Sequence, residues 1–124
     1  MTETWCVDGD GDPVSAVEVT DLLRARMAVG QLETWLTGSS GRLLAWISNT
    51  ERVLVMLLDD ADDPGEHAVD ASATGVSGGF VLANGQTDAY PDADTVPLAD
   101  AFRIVRHLLG TGAPPAGTAW SVDR

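Results

Sequence analysis

The chain has 124 residues, with nineteen acidic side chains against seven basic ones, all arginine, for a formal net charge of −12. Such a surface disfavours nucleic acid and anionic membranes as partners and speeds encounter with basic ones. One cysteine, Cys6, excludes an internal disulfide framework, and the length suits a single domain, 1–124, with a continuous core. No leader pattern follows Met1 and no long apolar run occurs, so a soluble, cytoplasmic protein is expected.

Near the start, Asp8, Asp10 and Asp12 occupy the first, third and fifth positions of a calcium loop. That loop needs glycine at its sixth position and glutamate at its twelfth, where this chain has Pro13 and Val19, so no metal is expected there. A short strand is expected over Val14 to Val19. Thr20 then caps a helix that runs to about Val29 and stops at Gly30. Leu22, Leu23, Met27 and Val29 make its apolar face. Arg26 lies near the middle of that face and has to reach out or find a partner.

Gln31 to Thr37 reads as a strand and Gly38 to Gly41 as a turn. Leu43 to Ser48 and Arg52 to Leu58 form a hairpin around Asn49-Thr50-Glu51. Both alternating faces of its strands are apolar, which places them at the centre of a sheet covered on both faces, or covered on one and left sticky on the other. Asp59 to about Ser77 lacks periodicity and opens on Asp59, Asp60, Asp62, Asp63, Glu66 and His67. Consecutive carboxylates on such a loop read as a solvated acidic loop rather than a preorganised metal site, with an electrostatic arm for a basic partner as a third reading.

Phe80 to Pro91 reads as a second hairpin, closed by Asn84-Gly85 in a two-residue type I′ turn. Pairing Ala83 with Gln86 and Val81 with Asp88 puts Val81, Ala83, Gln86, Asp88 and Tyr90 on one face, and Phe80, Leu82, Thr87 and Ala89 on the core face. The polar face is the first candidate working surface. Asp92 and Asp94 lead into a helix over about Leu98 to Leu109, where Leu98, Ala101, Phe102, Val105, Leu108 and Leu109 share a stripe. His107 projects away from it. Gly110 to Gly112 end the helix, and Thr118 to Val122 form a last strand anchored by Trp120. The expected fold class is α+β, a mainly antiparallel sheet with two helices packed against it.

Catalytic constellations are sparse. The chain has no Gly-rich phosphate loop, no nucleophile elbow and no Cys/His metal spacing, so neither an enzyme nor a cofactor is expected. A hydrolase built from Asp88 with His67 or His107 would need distant residues to converge.

The segments N-G-Q-T-D-A-Y-P at 84–91, T-V-P-L at 95–98 and A-F-R-I-V-R-H-L-L-G-T-G at 101–112, followed by Pro115 and Trp120, give the chain a resemblance. It resembles the first Imm family of immunity proteins from bacterial polymorphic toxin systems, sharply over the final third and in outline before it. Ala89 stands where relatives often carry a second acidic residue.

The resemblance implies a cytoplasmic antidote that binds a cognate secreted toxin one to one. Members of the family are associated with nucleic-acid deaminase toxins, among others, and a partner of that class is implied. An acidic protein can block a basic substrate cleft by presenting carboxylates in place of phosphates. Candidate contacts are Gln86, Asp88, Tyr90, Asp92 and Asp94, with Asp59, Asp60, Asp62 and Asp63 steering the approach. The competing expectation is a self-associating structural or regulatory domain with no toxin partner.

Overall fold

The computed structural model describes residues 3–8 and 11–124; Asp10, one of the three aspartates of the calcium-like pattern, lies outside them. The chain enters through β1 (Trp5–Val7), β2 (Pro13–Val14) and α1 (Val19–Ala28). It continues through β3 (Glu33–Gly38), β4 (Leu43–Ser48), β5 (Arg52–Leu58) and β6 (Glu66–Ala68). The hairpin β7 (Val76–Val81) and β8 (Thr87–Pro91) follows, then a 3₁₀ turn (Asp92–Asp94). The last elements are β9 (Val96–Pro97), α2 (Leu98–Thr111) and β10 (Trp120–Val122). The fold is α+β. Its main sheet runs β10-β6-β5-β4-β3-β1-β2, antiparallel at every pairing, with β9 also on β5, while β7 and β8 form a separate ribbon.

The two-faced apolar pattern of β4 and β5 dictates the layering. On one face Leu36, Leu44, Trp46, Val53, Val55 and Leu57 join Val19 and Leu23 of α1 and Ala101, Phe102, Ile104, Val105, Leu108 and Leu109 of α2 in one buried cluster. Trp46 meets the Phe102 ring at 5.0 Å, a tilted aromatic contact within that core. On the opposite face Ala45 and Ile47 are buried, Trp35, Leu54 and Met56 are half-buried, and β7 lies against β4. The molecule is therefore helices, sheet and ribbon in three layers.

Several expected boundaries shift for local reasons. Cys6 sits in β1 beside Trp5, which is 1% exposed in the core. The expected strand over Val14 to Val19 shrinks to two residues, because Ser15 and Glu18 form a capping box. The Glu18 N–H donates to Ser15 Oγ (3.2 Å) and the Ser15 N–H to Glu18 Oε1 (3.1 Å). Ser15 thus opens the turn that leads into α1, whose N-cap position is Glu18 rather than Thr20. Arg26 resolves its conflict by reaching Asp8 Oδ2 at 2.9 Å. The long segment after Asp59 is broken by β6, which pairs with both β5 and β10.

The largest correction is the register of the second hairpin. Leu82 and Gln86 close a three-residue loop: the Leu82 N–H donates to the Gln86 carbonyl (2.8 Å) and the Gly85 N–H to the Leu82 carbonyl (2.9 Å). Gly85 takes φ +88°, while Asn84 stays out of the left-handed region. This is a type I turn followed by a left-handed residue, rather than the two-residue type I′ turn. Pairing becomes Val81 with Thr87 and Phe80 with Asp88, so Phe80 shares a face with Asp88 and Tyr90. Phe80 is fully buried, which makes that face the inner one, and Val81, Thr87 and Ala89 look outward. The turn geometry makes a testable asymmetry. Gly85→Ala should lower stability by about 1 kcal/mol, and Asn84→Ala by less, in urea titrations; equal losses would restore the type I′ turn.

Candidate functional site

Side chains from β5, the 3₁₀ turn and the loop after β6 meet at Arg52, the first residue of β5. Its Nε donates to Thr95 Oγ1 (2.8 Å), and Nη2 reaches Asp70 Oδ2 (3.0 Å) and the carbonyls of Asp92 (3.1 Å) and Thr95 (3.0 Å). The Asp92 carboxylate lies 4.0 Å from the same guanidinium and accepts from Ser77 Oγ at 2.5 Å. Asp92 is therefore turned inward to hold the ribbon and the turn together. Hydrogen bonds from Arg52 and then Ser72 hold the Asp70 carboxyl below the usual carboxylate range.

Gln86, Asp88 and Tyr90 do share a face, in a hydrogen-bonded series. Gln86 Nε2 donates to Asp88 Oδ1 (2.7 Å), and Tyr90 Oη donates to Asp88 Oδ2 (2.9 Å). The Tyr90 ring meets Phe80 edge-on at 4.9 Å. Burial, the Asp88 carboxylate as acceptor, and the charges of Asp88 and Glu33 push the Tyr90 hydroxyl up to about 12, so it stays a neutral donor. Asp88 and Tyr90 are half-buried on the inner side of the ribbon rather than on a free outward surface, while Gln86 stays exposed near its tip. Glu33 of β3, absent from the expected site, clips the ribbon to the sheet. Its Oε1 accepts the Ala83 N–H (2.8 Å) and its Oε2 accepts Trp35 Nε1–H (2.7 Å).

Asp94 belongs to a different group. It and Asp123, just beyond β10, flank His67 of β6, with Oδ1 of Asp94 3.1 Å from Nε2 and Oδ2 of Asp123 2.8 Å from Nδ1. Next to them Arg124 contacts Asp59 (3.4 Å), Asp63 (2.9 Å) and Glu66 (3.4 Å). The loop after β5 is closed on itself. The Asp59 N–H donates to Asp63 Oδ2 (2.8 Å) and the Asp62 N–H to Asp60 Oδ1 (2.9 Å). The Asp59 amide holds the Asp63 carboxyl low; burial opposes this, and the Gly65 amide and Arg124 reinforce it.

The structure thus brings Asp59, Asp60, Asp62, Asp63 and Asp94 to one end of the sheet and adds Glu66 and Asp123, with Arg124 and His67 among them. Gln86, Asp88 and Tyr90 form a separate cluster, and Asp92 serves the interior. Asp88 is bonded to neither histidine: His67 is held between Asp94 and Asp123, and His107 faces the Ala113 carbonyl at 2.8 Å. Among the described residues no group of three His, Cys, Asp or Glu side chains is arranged to hold a metal ion, and no helix is long and apolar enough to cross a membrane.

No protein-family model matches the chain, and neither a curated protein nor a solved structure matches it. The site rests on its own geometry. Only the acidic run 59–63 was marked by composition; Arg52, Glu33, Asp70 and Asp123 come from distant positions and carry no local signal. Arg52→Met should expose the turn at 92–95 to faster amide exchange while the α2 amides stay protected. Tyr90→Phe, which keeps the ring and loses the bond to Asp88, should cost about 0.5–1.5 kcal/mol in denaturant titration.

Proposed function

We propose that the chain is an immunity protein that neutralises a basic, nucleic-acid-acting toxin domain of the deaminase class by occupying its substrate cleft. The observation that carries this reading is the acidic end of the sheet. There seven carboxylates gather on short connecting segments: Asp59, Asp63 and Glu66 on Arg124, Asp94 and Asp123 on His67, and Asp60 and Asp62 exposed on the loop between them. Carboxylates held on a folded edge present negative charge at fixed spacing, as a phosphate backbone does, and attract the same arginine and lysine side chains. The resemblance of residues 84–112 to the first Imm family points the same way. Those residues build the ribbon tip, β8, the 3₁₀ turn that supplies Asp94, and α2.

Within this reading the candidate residues divide by role. Asp59, Asp60 and Asp62 are exposed and steer the approach, whereas Asp63 and Asp92 hold the scaffold. Asp88 and Tyr90 preserve the shape of the ribbon edge beside the half-open sheet face. That half-buried strip of Trp35, Leu54 and Met56 also gives self-association a surface. A concentration-independent monomer mass in light scattering would remove that second reading.

Co-expression with the toxin domain encoded beside the chain tests the proposal: a one-to-one complex and rescued growth are expected, and neither appearing would overturn it. Given a complex, joint replacement of Asp59, Asp60 and Asp62 by Asn should slow association by about tenfold at low ionic strength and flatten its salt dependence, with little change in dissociation. Stopped-flow association rates at several salt concentrations check this.

A further inference from the structure

His67 is held in a way that depends on its own proton. Its side chain is 14% exposed, and both ring nitrogens lie within hydrogen-bond distance of a carboxylate oxygen, 2.8 Å from Asp123 and 3.1 Å from Asp94. An ionised carboxylate only accepts, so both nitrogens have to donate, and imidazole donates from both only as the cation. The neutral ring carries one N–H and points a lone pair at the other carboxylate.

The two carboxylates belong to segments of unequal anchorage. Asp94 lies in the 3₁₀ turn, whose backbone is fastened by Arg52 through the carbonyls of Asp92 and Thr95. Asp123 follows β10, a three-residue edge strand whose one strand partner is β6; beyond that pairing the segment is held by the Asp123 N–H on the Gly65 carbonyl (2.8 Å) and by the exposed contacts of Arg124. We propose that His67 is a proton-dependent latch: as imidazolium it ties β10 to the 3₁₀ turn across β6, and as neutral imidazole it keeps one carboxylate and lets β10 loosen.

The surroundings support a single controlling group. The 3₁₀ turn presents Asp94, and the segment after β10 presents Asp123 and Arg124. Glu66 of β6 is engaged by Arg124, as are Asp59 and Asp63 of the preceding loop. Cross-strand from His67, β5 contributes Met56 and β10 contributes Ser121, neither of which titrates.

Burial of the ring works against its charge, but the hydrogen bonds to Asp123 and Asp94, together with their charges, outweigh this and raise its pKa above 6.5. A raised folded-state value means the tie is complete below the ordinary histidine value and is lost as pH rises through the raised one. Opening of β10 uncovers the edge of β6 at the acidic end. This inference requires no partner, so it stands or falls separately from the toxin-binding proposal.

Peptide-resolved hydrogen exchange, corrected for the intrinsic pH dependence of the chemistry, tests it at about pH 5.5 and about pH 9. The opening constant of residues 120–122 should rise by about tenfold for each unit by which the His67 pKa exceeds its value in the opened state. In His67→Gln the step should vanish. Asp94→Asn, whose amide can accommodate a neutral ring, should shrink the step and lower the His67 midpoint read by NMR; it carries the test if the glutamine variant does not fold. Equal wild-type protection at both pH values, the same step in His67→Gln, or an unmoved midpoint in Asp94→Asn would overturn the latch.

Discussion

A charged group at the start of strand β5, its side chain only 18% exposed, has to find polar partners. The Arg52 guanidinium meets this demand with Asp70, Thr95 Oγ1 and two carbonyls of the 92–95 segment, all within 3.1 Å. Charge-assisted bonds in a partly desolvated setting are strong and directional, so they fix the backbone of that segment. The segment is also where the chain crosses between layers. Before it, β8 belongs to the ribbon over one sheet face; after it, β9 pairs with β5 and α2 covers the other. Arg52 therefore fastens to β5 the segment through which the chain passes from one covering layer to the other.

The same economy governs the other arginines. Arg26 is matched to Asp8, and Arg42 to Glu3, with a further bond from Arg42 to the Gly112 carbonyl (3.0 Å) where α2 ends. Glu3 also sits against Gly38, where an added Cβ would lie 2.0 Å from its carboxylate oxygen. Arg124 and Arg103 have acidic neighbours as well, although exposed pairs such as Arg103 with Asp100 contribute little to stability. With most cations placed in the framework, the surplus negative charge is left on turns and loops, and its greatest concentration among the described residues is beside β6 and β10.

Periodicity made α2 and the β4–β5 hairpin legible, since each has an unbroken pattern over six or more residues. The ribbon was legible as a hairpin but not in register. Asn84-Gly85 serves both a two-residue and a three-residue loop, and the choice depends on whether Asn84 also enters the left-handed region. Phe80 faces inward in either register; what distinguishes the three-residue form is that it brings Tyr90 onto the Phe80 ring, and that is a tertiary fact. The Ser15–Glu18 pair was present as a local pattern, and it marks the turn that ends the second strand and leads into the first helix at Val19. Nothing local, by contrast, predicts that residues 67, 94 and 123 converge, because each reaches the acidic end through a different pairing.

That convergence changes what an acidic residue means here. Asp59 is 70% exposed and Asp63 11%, yet both contact the same arginine, so proximity in sequence says little about which charge a partner could meet. Removing Asp63 removes an amide partner and a salt bridge together, and lost binding would follow from a disordered loop as readily as from a lost contact. Removing Asp60 or Asp62 leaves the contact to Arg124 in place. A negative surface of this kind has two populations, carboxylates that satisfy the fold and carboxylates that project from it, and only the second can be traded against a partner's charge without first altering the scaffold that presents them.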